Sequence, residues 1–156
     1  MNDPVTDVPD RINSLMAFDF GTQRMGVAIG QRLMGTAQAL SPIKAKDGIP
    51  NWDALDRVIK EWQPQGFVVG LPLNMDGSVS EMSRRASKFA RRLEGRFHLP
   101  AYMQDERLTS YEAKAQVIEE QGFTNFGDHS VDGMAACLIL QSWITEHPLN
   151  TVRGDT

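Results

Sequence analysis

The chain has 156 residues, of which 41% are apolar and 23% charged, and its formal net charge is −4. These values predict one globular domain and exclude a protein that coats nucleic acid through bulk positive charge. No run approaches the roughly 18 apolar residues that a membrane span needs. The acidic N-terminus has no signal-peptide character, and the single Cys137 excludes an internal disulfide. We therefore expect a cytoplasmic protein that does not bind membranes.

The first patterned stretch follows a polar, proline-interrupted segment, residues 1–14, that predicts a flexible tail. It reads LMAFDFGTQRMGVAIG and predicts two antiparallel strands, Leu15 to Phe20 and Met25 to Gly30, joined by a tight turn. Asp19 interrupts the first apolar run, where a carboxylate is costly unless it is paired, hydrogen-bonded or bound to a metal. A turn residue is the simpler interpretation of Asp19.

The rest of the chain alternates between predicted strands and helices. First come a strand at Leu33 to Leu40, a loop at 41–50, a helix capped by Asn51 and a buried strand at Phe67 to Gly70. A helix at Ser78 to Leu93 follows, with a Ser78–Glu81 capping box, and then a strand at Ala101 to Asp105. The chain continues with a helix at Thr109 to Gln121, a loop at 122–129 and a helix at Ser130 to Thr145. This order predicts an α/β fold. We expect a mixed sheet of about five strands, the first three antiparallel, in one domain at 15–147 with a tail at 148–156.

Three carboxylates lie at the ends of these elements. Asp19 ends the first strand, Glu106 follows the last strand, and Asp132 lies in the first turn of the final helix. If strand ends and helix starts meet at one edge of the sheet, these groups repel one another unless a cation neutralises them. Oxygen ligands favour magnesium or manganese, and two such ions can activate water for phosphodiester hydrolysis.

Each carboxylate also has a simpler interpretation. Asp132 can complement the helix dipole, and Glu106 can pair with Arg107. Asp105 and Asp128 are close enough in sequence to be the ligands in place of their neighbours. The spacing leaves these alternatives open.

Two segments suggest contacts with a phosphate backbone. The loop LPLNMDGS precedes a helix, so its amides and Asn74 can bind a phosphate, although a plain turn at Asp76-Gly77 explains it equally well. The next helix carries a run of cations: Arg84, Arg85, Lys88, Arg91, Arg92 and Arg96. We interpret it as a nucleic-acid backbone track rather than a solvated face, with Met82, Ala86, Phe89 and Leu93 on the core side.

The segments FDFGTQRMGVAIG, VVGLPLNMDGS, DERLTSYEA and VDGMAACLILQSW together resemble, in that order, the motifs of the YqgF/RuvX family. The resemblance implies an RNase H-like fold and a metal-dependent nuclease with Asp19, Glu106 and Asp132 as its catalytic and metal-binding residues. It favours Glu106 over Asp105 and Asp132 over Asp128. The implied cofactors are Mg²⁺ or Mn²⁺, two ions in all. The implied substrate is precursor 16S rRNA, processed at its 5′ end, with ribosomal precursor particles as partners.

From the motifs and the cationic helix we name the substrate-binding candidates, which are Gly21, Thr22, Asn74, Arg84, Arg85, Lys88, Arg91 and Arg107. The sequence departs from the family in two places. Family members often carry a lysine before the last acidic motif and a serine after its aspartate, whereas this chain has GDHSVDGMAA, with Gly133 after Asp132. A positively charged side chain from this loop is therefore not expected at the site, except for His129 at low pH.

Three alternatives remain open. Resolution of branched, four-way DNA would use the same chemistry and require a dimer, whereas the rRNA reaction allows a monomer or a homodimer. The phrase DFGTQRMGVA also resembles the phosphate loop of actin-like and sugar-kinase ATPases, but those have two related domains and this chain has the length of one. A non-catalytic rRNA-binding or ribosome-assembly factor is the third.

Overall fold

The computed structural model describes residues 8–108 and 130–149, and for residues 108 and 130–132 it describes the main chain alone. The predicted helix at 109–121 and loop at 122–129 lie outside these ranges. So do the side chains of Asp128, His129 and Asp132.

A six-stranded mixed sheet forms the centre of the molecule. Its strands are β1 (Ser14–Asp19), β2 (Arg24–Gln31), β3 (Thr36–Lys46), β4 (Ile49–Pro50), β5 (Gly66–Leu71) and β6 (Ala101–Asp105). The spatial order is β4-β3-β2-β1-β5-β6. Each neighbouring pair among β1, β2, β3 and β4 is antiparallel, whereas β5 runs parallel to β1 and β6 runs parallel to β5. The predicted mixed sheet with an antiparallel first part is confirmed, although the sheet has six strands rather than about five.

Three helices are described: α1 (Trp52–Trp62), α2 (Glu81–Phe97) and α3 (Ser130–Glu146). Successive residues of β1 point to opposite faces of the sheet. Met16 and Phe18 pack under α1 and α2, whereas Leu15 and Ala17 pack under α3. The described helices include none that is long and apolar enough to cross a membrane.

The parallel strands bring their carboxyl ends to one edge of the sheet. Phe18 pairs with Val69, so Asp19 and Gly70 are the next positions along β1 and β5. Leu71 in turn pairs with Asp105 at the end of β6. We call this side, defined by Asp19, Gly70 and Asp105, the carboxyl edge.

The predicted loop at 41–50 was wrong, because most of it is strand. β3 continues to Lys46, and Ile49–Pro50 folds back as β4. A shift in register between β2 and β3 accommodates Pro42, since Val27 pairs with Leu40 but Met25 pairs with Ile43. Such a bulge tolerates a proline that regular pairing would exclude.

The start of α2 also differs from the prediction. Ser80, not Ser78, caps the helix, and its capping box partner is Ser83 rather than Glu81. The Ser78 hydroxyl and amide both donate to Asp76. Met82 is 37% exposed and does not join the core, whereas Ala86, Phe89 and Leu93 are buried as expected.

The two ends of the described chain are held together by one buried arginine. Arg32 donates hydrogen bonds to the carbonyls of Pro9, Ile12, His147 and Pro148. Within the predicted tail at 1–14, Val8 and Ile12 are buried, so residues 8–14 belong to the folded domain. Leu149, in the predicted tail at 148–156, is buried too.

Candidate active site

Asp19 and Glu106 approach each other at the carboxyl edge. Asp19 is the last residue of β1, and Glu106 opens a short 3-10 helix, Glu106–Leu108, directly after β6. The strand between them, β5, contributes Gly70. A Cβ at position 70 would lie 2.7 Å from Glu106 Oε2, so the Glu106 carboxylate lies directly against the β5 backbone. Glycine at this position is what leaves room for it.

The environment of Glu106 disfavours a negative charge. Burial, followed by the charges of Asp19 and Asp105, raises the pKa of Glu106 from 4.5 to about 7. Each of these causes favours the protonated carboxyl group. A cation at this position would reverse the effect, because it would stabilise the carboxylate.

Asp105 is occupied by a salt bridge. Its carboxylate accepts hydrogen bonds from the Arg107 side chain, the shortest being 2.7 Å from Nη2, and a further one from the Arg107 amide. These bonds from Arg107 hold the pKa of Asp105 below its ordinary value. Arg107 also donates to the carbonyl of Met75. Arg107 therefore pairs with Asp105, rather than with Glu106 as the simpler interpretation allowed.

Asp132 is the third residue of α3, and its side chain lies outside what the structure describes. The next residue, Gly133, packs against β3, where a Cβ would lie 2.8 Å from the Cβ of Ala39. This contact gives a physical reason for the glycine after Asp132, since a serine would push α3 from the sheet. The assignment of Asp132 to the site stays a prediction.

The described residues contain no group of three His, Cys, Asp or Glu side chains that could hold a metal ion. Asp19 and Glu106 are among these described residues, whereas the Asp132 side chain is not. The two described carboxylates nevertheless suit a hard cation, because both present oxygen ligands and their mutual repulsion favours a positive charge between them.

The loop before α2 forms the plain turn that the sequence allowed. Asn74 donates to the Ser78 hydroxyl, and the Gly77 amide donates to the Asn74 carbonyl. Gly77 has a φ of +87°, which explains the glycine. Asn74 is exposed, and Gly21 and Thr22 lie in the loop after β1. Their roles as substrate contacts stay predictions.

The cations of α2 divide into paired and unpaired groups. Arg84 pairs with Glu81, Arg85 with Asp47, and Arg96 with Asp56. Lys88, Arg91 and Arg92 are exposed and make no ion pair within the described chain. The helix thus presents uncompensated positive charge in a chain whose formal net charge is −4.

Sequence reasoning missed the turn between β3 and β4 as part of this surface. Asp47 and Gly48 form the turn, and Arg85 Nη2 donates to the Asp47 carbonyl and carboxylate. The dipeptide Asp-Gly is a strong signal for a two-residue hairpin turn and could have identified it. Arg92 belongs to the cationic run that the sequence predicts as a backbone track, although it is not among the named substrate-binding candidates.

Comparisons with known proteins give a consistent family. The family model described as "RuvX: Holliday junction resolvase" matches residues 13–146. A protein of Actinobacillus pleuropneumoniae serotype 5b, provisionally named pre-16S rRNA nuclease, is 57% identical over 130 residues, which cover 83% of this chain and 95% of the relative. A Pseudomonas aeruginosa protein with the same provisional name is 50% identical over 143 residues, covering 92% and 98%.

Solved structures with the same fold are more distant in sequence. Thermus thermophilus RuvC, solved in complex with a Holliday junction substrate, has a TM-score of 0.56 and 14% identity, covering 85% of this chain and 95% of its own. The yeast mitochondrial Holliday junction resolvase has a TM-score of 0.52 and 7% identity, covering 91% and 82%. These likenesses support the predicted RNase H-like fold of the resolvases. The family model and the identity to the bacterial relatives show that this chain belongs to the RuvX family.

Proposed function

We propose that this protein is a metal-dependent nuclease that hydrolyses phosphodiester bonds of structured RNA, in the 5′ processing of precursor 16S rRNA. The observation that carries the proposal is the pair Asp19 and Glu106 at the carboxyl edge, where burial and the Asp19 charge suppress ionisation of Glu106. Folding gains nothing from holding such a carboxyl group there without a partner. Cation binding would explain why these two carboxyl groups lie together.

The metal would be held by Asp19 and Glu106, with Asp132 as the predicted third ligand. Mg²⁺ or Mn²⁺ fits these oxygen donors, and a pair of such ions, when bound, activates a water molecule and stabilises the leaving oxygen. The chain's own contribution is to place the ligands. β1 and the step after β6 present the two carboxylates, and Gly70 leaves the space between them open.

Arg107 would act as a positioning residue in this site. It holds Asp105 on one side and the carbonyl of Met75 on the other, and so ties the loop before α2 to the carboxyl edge. Because its carboxylate is already bonded to Arg107, Asp105 is less suited than Glu106 to bind a cation.

RNA as the substrate is supported by the named relatives and by charge. Two relatives at 50% and 57% identity carry the provisional name pre-16S rRNA nuclease. Three cations on α2 have no ion pair among the described residues, namely Lys88, Arg91 and Arg92, and they supply the sequence-independent attraction that a phosphate backbone requires. Precursor ribosomal particles and a cytoplasmic location follow from that substrate.

The test is cleavage of a precursor 16S rRNA fragment with Mn²⁺, Mg²⁺ or chelator. We expect Asp19→Asn to lower cleavage at least about 100-fold, since losing a ligand should cost more than losing an outer-sphere contact. RNA binding in chelator should persist. Asp53→Asn, an equivalent change at an exposed position of α1, is the matched control. Full activity of Asp19→Asn, or activity in chelator, would refute the mechanism.

A second candidate is resolution of four-way DNA junctions. It is favoured by the description of the matching family model and by the shared fold with RuvC. Two symmetric cuts need two active sites, so this activity requires a homodimer on the junction. Side-by-side cleavage of a junction and of precursor rRNA, with the mass of each complex measured, separates the two candidates. Paired cuts in a dimeric junction complex would favour the second.

A further inference from the structure

We infer that the cleft between α2 and the β3–β4 turn binds the nucleic-acid backbone that flanks the cleaved bond. We call it the α2 cleft. This inference rests on the proposed function and adds the path by which the substrate reaches the carboxyl edge. It adds the turn at Asp47-Gly48, which the sequence motifs do not identify, and places this turn in one cleft with Lys88 and Arg92 of the cationic run.

The cleft has a volume of about 380 Å³. The turn and the first residue of β4 form one wall, α2 forms the other, and Phe20 and Phe89 also line it. The residues on the α2 side are charged: Glu81, Arg84, Arg85, Lys88 and Arg92. Among the described residues, four cations and two carboxylates, Asp47 and Glu81, therefore surround this space.

The two carboxylates are already neutralised. Glu81 pairs with Arg84, and Asp47 pairs with Arg85. Lys88 and Arg92 have no ion pair among the described residues. The net positive charge of the cleft therefore comes from these two exposed side chains, and an anionic ligand would not have to displace an existing partner to reach them.

The spacing of the cations suits a repeating anion rather than a single one. Arg84, Lys88 and Arg92 are four residues apart along α2 and so lie along one side of the helix. At about 1.5 Å per residue, consecutive members are about 6 Å apart along the axis. This is comparable with the distance between successive phosphates of an extended nucleic-acid strand. One free phosphate could contact only part of this row.

The cleft is connected to the candidate active site through the loop after β1. The amide of Gly48 donates a 2.9 Å hydrogen bond to the carbonyl of Thr22. Phe20, which lines the cleft, is the residue directly after Asp19. Because successive residues of β1 point to opposite faces of the sheet, Phe20 and the Asp19 carboxylate lie on either side of this loop, and a strand bound along α2 would pass over the loop to reach the carboxylate.

The turn is shaped to fit Arg85. Gly48 has a φ of +81°, and a Cβ there would lie 2.8 Å from Arg85 Nη2. Because the turn has no side chain at this position, Arg85 can bind both the carbonyl and the carboxylate of Asp47. These bonds fix the wall of the cleft and partly neutralise Arg85.

The experiment compares two double variants in RNA binding. Lys88→Ala with Arg92→Ala removes the unpaired cations of the cleft, and Arg57→Ala with Lys60→Ala removes two exposed cations from α1 as the matched control. Binding of a mixed-sequence RNA oligonucleotide is measured by fluorescence anisotropy in chelator, across a salt series. We expect the cleft variant to bind about 10-fold or more weakly, with the salt slope smaller by about 1.4, or 0.7 for each lost phosphate contact on a single strand.

A further variant and a small substrate complete the test. Asp47→Asn removes the carboxylate charge that pairs with Arg85 and should strengthen RNA binding several-fold. Bis(p-nitrophenyl) phosphate is too small a substrate to occupy the cleft, so its cleavage by the wild-type chain reports on the proposed function alone. KM for RNA should rise in the Lys88/Arg92 variant and stay unchanged in the Arg57/Lys60 control. An unchanged salt slope, or an equal loss in the Arg57/Lys60 control, would overturn the inference. If the wild-type chain cleaves neither substrate, the proposed function fails, and the binding data still decide whether the cleft holds RNA.

Discussion

Glu106 should make the metal-free protein less stable as the pH rises, and Glu106→Gln should remove this dependence. The folded protein holds the Glu106 proton with a pKa of about 7, against 4.5 for the ordinary carboxyl group. Between these values the folded state binds more protons than the unfolded state, so the free energy of unfolding falls with increasing pH. Above about pH 7 the loss is complete, and below about pH 4.5 it disappears.

The size of the effect follows from the shift. A pKa that is higher by about 2.5 in the folded state corresponds to about 3.5 kcal/mol, at about 1.4 kcal/mol for each pH unit. This figure is an upper bound, because Glu106 is only half-buried and water screens part of the repulsion. We therefore expect Glu106→Gln to raise the free energy of unfolding by about 1–3 kcal/mol at about pH 8. In acid the variant and the wild type should be equally stable.

The assay is urea unfolding in chelator across this pH range, with Glu61→Gln as the control. Glu61 is exposed on α1, so its neutralisation should leave the pH dependence intact. Addition of Mn²⁺ at about pH 8 should stabilise the wild type more than Glu106→Gln, because the carboxylate is then a ligand. A Glu106→Gln protein that is no more stable than the wild type at about pH 8 would show that the site does not disfavour the charge.

Three further changes test the surrounding structure. Gly70→Ala should lower kcat and cost about 1–3 kcal/mol in urea unfolding, because its Cβ would lie 2.5 Å from Ile139 Cδ1 and 2.7 Å from Glu106 Oε2, so both side chains must shift. Arg32→Ala should cost about 3–5 kcal/mol by calorimetry, since it leaves buried carbonyls without a donor, whereas Arg57→Ala on α1 should cost almost nothing. Arg107→Ala should lower the free energy of unfolding at neutral pH, and the difference should shrink as acid protonates Asp105, whose pKa Arg107 lowers.

The strands and their pairing were predictable because the apolar pattern of the sheet is strong. The two strands at 15–30, the buried strand at 67–70 and the last strand at 101–105 all appear at or within one residue of the expected bounds. The third strand was predicted at Leu33 to Leu40, whereas β3 runs from Thr36 to Lys46. Its end was placed too early because Pro42 and Gly48 indicate a loop to any local rule. Only the bulge in its pairing with β2 and the hairpin turn to β4 reconcile these residues with strand structure.

The cap of α2 shows a second limit of local patterns. Ser78 and Glu81 match the capping-box spacing, yet the turn at Asp76-Gly77 already uses the Ser78 hydroxyl. Ser80 then becomes the cap, with Ser83 as its reciprocal partner. Two competing hydrogen-bond networks share one short segment, and their relative stability depends on the packing of α2 against the sheet.

In the candidate site, the sheet topology determines which residues come together, and side-chain contacts determine which carboxylate is available to bind a cation. Parallel pairing of β1, β5 and β6 is enough to bring Asp19 and Glu106 to one edge, so their proximity could be expected from the order of elements. The preference for Glu106 over Asp105 came from the family resemblance. In the structure its physical basis is the Arg107 side chain, which binds one carboxylate and leaves the other against Gly70.

Net charge was the least informative of the sequence properties, and the structure explains why. A formal charge of −4 argues against bulk attraction to nucleic acid. On α2, however, ion pairs with Asp47 and Asp56 neutralise Arg85 and Arg96, while Lys88 and Arg92 have no ion pair in the part of the chain that the structure describes. Attraction at contact distance depends on charges within about one Debye length, near 10 Å, and not on the sum over the chain. Acidic residues elsewhere on the surface therefore do not prevent this helix from binding a polyanion, and raising the salt concentration should weaken the binding.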